Sequence, residues 1–177
     1  MALISTGNLD FSKTYVCNEI SDSIIAKIIQ NLSIQVYPSF KKENIASHTF
    51  ALRFKNNEWY VYENHLKWGG IKEYPLSEYD YNNVKDIQIN EYPLNLISMD
   101  YWLKHSPGYS ICNLIEMAES RILKGLKLPD TKGWVCSETI AAMNFDICLT
   151  LNKPFSEIAP CDWQYYLSTK RGQNNGI

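Results

Sequence analysis

The sequence predicts an α+β domain: an antiparallel sheet containing a β-hairpin, packed against helices of which the most apolar begins at Cys136. Three observations lead there. The run "SHTFALRFKNNEWYVYENH" alternates apolar and polar residues on both sides of Asn56-Asn57, a pair suited to a tight hairpin turn. The stretch "WVCSETIAAMNFDICLTL" carries apolar residues on most sides, as a buried helix does. A chain of 177 residues with 45% hydrophobic content fills one core without the help of disulfides, so a single domain is expected over residues 1–177.

Taken in order, Ser21-Asp22-Ser23 offers N-cap residues for an amphipathic helix whose apolar side carries Ile24, Ile25, Ile28, Ile29 and Leu32 and which ends near Asn31. Ile34 to Tyr37 reads as a short strand stopped by Pro38, and the polar loop from Ser39 to Asn44 leads into the hairpin. Strands are expected near Ile71 to Tyr74 and Val84 to Tyr92, then a helix within Leu94 to Lys104 that Ser106-Pro107-Gly108 breaks. Ile111, Leu114, Ile115, Ala118, Ile122 and Leu123 form one apolar face of a helix from Ser110 to Lys124, with Gly125 as its C-cap. The connection Pro129 to Gly133 precedes the buried helix, a short element follows Pro160, and "TKRGQNNGI" reads as a frayed tail. The core of the domain is expected over about 34–166, after an N-terminal helical extension.

Composition narrows the function classes. Lys+Arg 17 against Asp+Glu 19 gives a formal charge of -2, without the basic excess that nucleic acid requires. Met1 to Phe11 lack the charged start and apolar run of a secretory signal, and no stretch approaches the roughly 20 apolar residues of a membrane span. A cytoplasmic protein is expected. Cysteines at 17, 112, 136, 148 and 161 are odd in number and lack a C-x-x-C pair, which favours free thiols over disulfides or structural zinc.

With Asn56 and Asn57 at the centre of a two-residue turn, opposed residues have numbers summing to 113, so Phe54 faces Trp59, Leu52 faces Val61, Phe50 faces Glu63 and His48 faces His65. Opposed residues share a face, which is apolar at the turn and polar at the far end. Glu63 becomes the diagonal neighbour of His48, roughly 7–8 Å away between backbone positions, and long side chains bridge that separation. A carboxylate beside an imidazole fixes its tautomer and stabilises its cation, as a general base needs. The competing reading leaves Glu63 and His65 in solvent and His48 as a satisfied core residue, and a slip of one residue in register undoes the pairing.

Cys136 is set apart from the other thiols. It stands where a Gly-containing loop enters the buried helix, and the unpaired N–H groups and dipole of a helix N-terminus favour a thiolate there. Cys112 and Cys148 fall within helical runs, and Cys17 and Cys161 have no recognisable catalytic neighbours.

A histidine opening a strand ("SHTFAL"), an acid on the next strand ("YVYEN") and, much later, "WVCSETIAAM" opening an apolar helix resemble the circularly permuted NlpC/P60 group of papain-like cysteine hydrolases. Ordinary NlpC/P60 domains carry the nucleophile first in the chain, whereas this group carries it last, as here. "PGYSICNLI" is similar to the segment in which a tyrosine precedes a helix in several relatives. The resemblance spans roughly Ile34 to Tyr166 and implies Cys136 as nucleophile, His48 as base and Glu63 as orienting acid. His65 competes for the third role, and Tyr109 and His65 are candidate binding residues.

The implied chemistry is hydrolysis of an amide or ester through a thioester acyl-enzyme, with no metal or organic cofactor. The substrate is expected to be a peptide, a cell-wall fragment or a lipid-like molecule. The expected lack of a secretory signal sits poorly with periplasmic peptidoglycan. A second reading is a catalytically silent binding or accessory protein in which the 12 tyrosines and 5 tryptophans line a recognition surface. A third makes His48, His65 and Glu63 a three-ligand metal set, which leaves Cys136 unexplained.

Overall fold

The computed structural model of the chain describes residues 4–110 and 133–174. Five antiparallel strands, β1 (Thr14–Ser21), β2 (His48–Lys55), β3 (Glu58–His65), β4 (Gly70–Pro75) and β5 (Val84–Glu91), form one sheet in the order β4-β3-β2-β1-β5. The helices are α1 (Ile24–Ser33), α2 (Leu96–Lys104), α3 (Cys136–Ala141), α4 (Asp146–Leu151) and α5 (Pro160–Asn174). Alternation along the strands sorts the two faces of the sheet. Val16, Ala51 and Tyr62 pack with Met99 of α2, Ile140 of α3, Ile147 of α4 and Trp163 of α5. Cys17, Phe50, Leu52, Val61 and Tyr74 form a second cluster.

Near its turn the hairpin adopts the expected register, but the ladder ends at Ala51↔Tyr62, short of the expected pairs Phe50–Glu63 and His48–His65. Asn56 and Asn57 have φ of 50° and 63°, and Leu52↔Val61, Phe54↔Trp59 and Lys55↔Glu58 are opposed. Two consecutive positive φ angles suit the right-handed twist of the flanking strands, and asparagine tolerates them better than most residues. The expected packing of the Cys136 helix on this hairpin is also seen, since α3 lies against β2 and β3.

Other elements differ from expectation. The N-terminal region contributes β1, which lies between β2 and β5 and so belongs to the core rather than to a helical extension. Ser23 caps α1 by accepting from the Ala26 N–H at 3.1 Å, but the helix turns its apolar side outward: Ile24, Ile25 and Ile28 are exposed, and Ala26, Gln30 and Ser33 are buried. Gln30 tolerates burial because its amide donates to the carbonyls of Ser21 and Ile45. Ile34 to Tyr37 is not a strand. The last turn of α1 runs on into it, with Val36 and Tyr37 both donating to the Ser33 carbonyl.

The single long helix expected from Cys136 is two short ones. Asn144 accepts from the Asp146 N–H with its side chain and donates to the Pro93 carbonyl, a local alternative to helical pairing that ends one helix and starts the next. At the other end, the tail read as frayed is helical as far as Asn174 in α5. The helix expected over Ser110 to Lys124 lies, beyond Ser110 itself, outside the described residues. Among those residues no helix is long and apolar enough to cross a membrane.

Candidate active site

The β2–β3 pairing closes at Ala51↔Tyr62. Beyond it His48, the first residue of β2, pairs with Glu19 of β1, while Glu63 pairs with Lys72 of β4. Side chains bridge the gap that opens between the two strands. His48 Nε2 lies 2.6 Å from Glu63 Oε2, the diagonal contact expected from the register. The His48 ring also stacks on Phe50, with centroids 5.9 Å apart.

Cys136 is the first residue of α3 and is 3% exposed. Its sulfur lies close enough to the His48 imidazole to act on its charge. Two tethers set the position of α3. Asn64, fully buried on β3, donates from Nδ2 to Thr139 Oγ1, the Trp134 carbonyl and the Gly108 carbonyl at 3.0, 3.0 and 3.2 Å. Trp163 of α5 donates to the Ser137 carbonyl at 3.1 Å. Glu138, three residues after the N-cap Val135, accepts from the Val135 N–H at 2.7 Å and steadies the turn that presents Cys136. At six residues, α3 has a smaller dipole to offer the sulfur than the long helix expected.

Glu63 is 4% exposed, and its second oxygen is also occupied: Oε1 accepts from the Tyr74 hydroxyl at 2.6 Å and from the Trp68 indole N–H at 3.3 Å. Burial opposes the charge on Glu63, but the hydrogen bond and charge of His48, the Tyr74 hydroxyl and the charge of His65 outweigh it and bring its pKa down to about 2. Burial likewise opposes protonation of His48. The charge of Cys136 and its hydrogen bond, followed by those of Glu63, outweigh it and hold the imidazole well above the ordinary histidine range. Cys136 and Glu63 therefore both stabilise the imidazolium.

His65, the competing third residue, stands edge-on to His48 with centroids 5.4 Å apart and uses Nδ1 to accept the Lys67 N–H. Burial, and then the charge of His48, lowers its pKa. Among the described residues no three His, Cys, Asp or Glu side chains are grouped to hold a metal ion. Within the set read as metal ligands, His48 and Glu63 bond each other instead of converging on a common point. Tyr109 reaches the site through a parallel bridge to Trp134 and the bond of its N–H to the Gly69 carbonyl at 3.1 Å. Burial, followed by the negative charges of Cys136, Glu138 and Glu63, raises the pKa of its phenol, which stays protonated.

The sequence reading missed Tyr74, Trp68 and Asn64. Tyr74 opposes Val61 in the β3–β4 register, and that register has no turn signal as strong as Asn56-Asn57 to reveal it. Trp68 lies five residues past Glu63 in a 3-10 turn (Leu66–Trp68) that brings it back toward the carboxylate. No model of a known protein family matches the chain, and no curated protein matches it.

Proposed function

We propose that the protein is a cysteine hydrolase acting on an amide or ester, with the circularly permuted papain-like arrangement of the NlpC/P60 group. One observation carries this reading: the Cys136 sulfur and the Glu63 carboxylate both act on the His48 imidazole, the carboxylate through a 2.6 Å contact at Nε2. A nucleophile, a base and a group that orients the base are the parts that thiol-dependent acyl transfer needs.

In the proposed reaction His48 takes the proton of Cys136, and the sulfur attacks the substrate carbonyl to form a C–S bond. Collapse of the tetrahedral intermediate breaks the bond to the leaving amine or alcohol, which receives the proton from His48. Water then adds to the thioester with His48 again acting as base, and the C–S bond breaks to release the acid and restore the thiol. Glu63 keeps its charge throughout and stabilises the imidazolium. The Cys136 N–H and the neutral Tyr109 hydroxyl are the proposed donors to the oxyanion.

The second reading, a silent binding protein retaining the same fold, draws on the low exposure of Cys136. Labelling separates the two. Iodoacetamide at pH 6 should modify Cys136 before Cys17, Cys148 or Cys161 in wild type, and His48→Ala should slow that labelling by about ten- to a hundred-fold. Cys136→Ser should abolish both labelling and turnover of p-nitrophenyl acetate. Labelling of Cys136 that is no faster than that of the other thiols and indifferent to His48 would favour the binding protein.

A further inference from the structure

Strand β4 brings a cation to the buried carboxylate without letting the two meet. Lys72 is opposed to Glu63 in the β3–β4 register, and opposed residues point to one side of a sheet with Cβ atoms about 4.5–5.5 Å apart, within the reach of a lysine. An ion pair is the expected outcome. Instead the Lys72 ammonium lies over the Trp68 ring, 3.8 Å from its centroid, and over the Tyr74 ring at 5.7 Å. No carboxylate among the described residues pairs with it. These are the two rings that serve Glu63: the Trp68 N–H and the Tyr74 hydroxyl both donate to Oε1, and Oε2 is left to His48.

A cation on the face of a ring draws π density toward itself, which leaves the N–H or O–H at the ring's edge more positive and a stronger donor. Lys72 covers both donors at once, since their rings pack 5.8 Å apart. A direct ion pair would instead place the ammonium on the carboxylate, in competition with His48 for its oxygens. The charge around Glu63 gives such a cation a use. Glu19 and Asp80 add negative charge at Tyr74, and the other titratable neighbours of Glu63 are His48, His65, Tyr79 and Tyr109. Lys67 also approaches Trp68, at 4.7 Å, but its side chain is exposed.

We propose that Lys72 is a positioning residue for Glu63, acting through Trp68 and Tyr74 to hold the carboxylate charged and turned toward His48, a role whose catalytic meaning rests on the hydrolase reading. Lys72→Met keeps most of the aliphatic contact with the rings and removes the charge, whereas Lys72→Arg restores a charge that stacks well on aromatic faces. Labelling of Cys136 by iodoacetamide at pH 6 should slow at least about threefold in Lys72→Met, because a less firmly held carboxylate stabilises the imidazolium less. Lys72→Arg should return it to within about 1.5-fold of wild type. The control is Lys13→Met, which removes a charge that pairs with Glu91 of β5 at the opposite edge of the sheet and should leave the rate unchanged. Urea unfolding at pH 7 supplies a cycle with Glu63→Gln that needs no reactivity at Cys136. Lys72→Met should raise the unfolding constant at least about threefold when Glu63 is present and less than about 1.5-fold in Glu63→Gln. Equal costs in the two backgrounds would make Lys72 a packing residue and overturn the proposal, as would an effect that Lys72→Arg fails to restore or Lys13→Met reproduces. If Cys136 resists labelling in wild type, the hydrolase reading falls, and the unfolding cycle alone decides whether Lys72 acts on Glu63.

Discussion

Glu63→Gln tests the electrostatic design of the site, because it removes one charge and keeps the volume. The Glu63 pKa falls from near 4.5 to about 2 on folding. A depression of that size stabilises the folded state by about 3 kcal/mol at neutral pH, at roughly 1.4 kcal/mol per pH unit. The folded carboxyl binds fewer protons than the unfolded one between these values. Stability from this group is therefore fully present above about pH 4.5 and is lost as pH falls through about 2. Urea unfolding of wild type and Glu63→Gln, followed by tryptophan fluorescence at fixed pH, isolates the effect from all other carboxylates. The difference between the two proteins should grow by about 2 kcal/mol between pH 3 and pH 5, the larger part of the window. The opposite sign holds for His48, whose raised pKa gives stability that is complete below about 6.5 and is lost as pH rises through the folded value. Without Glu63 that loss should be complete at lower pH. A wild-type minus variant difference that stays level from pH 3 to pH 5 would refute the reasoning, since the carboxylate would then owe nothing to its partners.

Three further outcomes follow from the same geometry. Tyr74→Phe removes a buried hydrogen bond to a charged group and should cost about 1.5–3 kcal/mol by urea denaturation, with the acid limb of the activity profile moved to higher pH. Asn64→Leu should lower stability by about 1–3 kcal/mol and reduce kcat, because it cuts the tether between β3, Trp134 and Thr139; a variant of unchanged stability would show that the tether does not hold α3. His65→Ala, which leaves the Glu63–His48 contact intact, should change the rate of Cys136 alkylation by less than about threefold, whereas Glu63→Gln should change it by more than about tenfold.

Sequence by itself determined the part of the site that depends on local geometry. Two asparagines able to adopt positive φ set the hairpin turn, the turn set the register, and the register placed Glu63 diagonally from His48, while the choice between Glu63 and His65 as its partner was left to the tertiary structure. It also marked Cys136 as the opening residue of a helix that packs on the hairpin, since Gly133 and the apolar run after it are legible within a few residues. The tertiary structure decided the rest. Strand β1 is covered on both faces, so Val16, Cys17 and Asn18 are all buried and the period-two signal of a one-sided strand is lost. The outward apolar side of α1 and the break at Asn144 depend on partners 15 and 51 residues away, the Ile45 and Pro93 carbonyls. Tyr74 and Trp68 on the Glu63 carboxylate, and Asn64 holding Trp134 and Thr139, likewise depend on which segments share a buried space. A dihedral preference is written in two or three adjacent residues. A satisfied buried polar group is written only in the arrangement of the whole chain, because its partners come from segments that meet on folding.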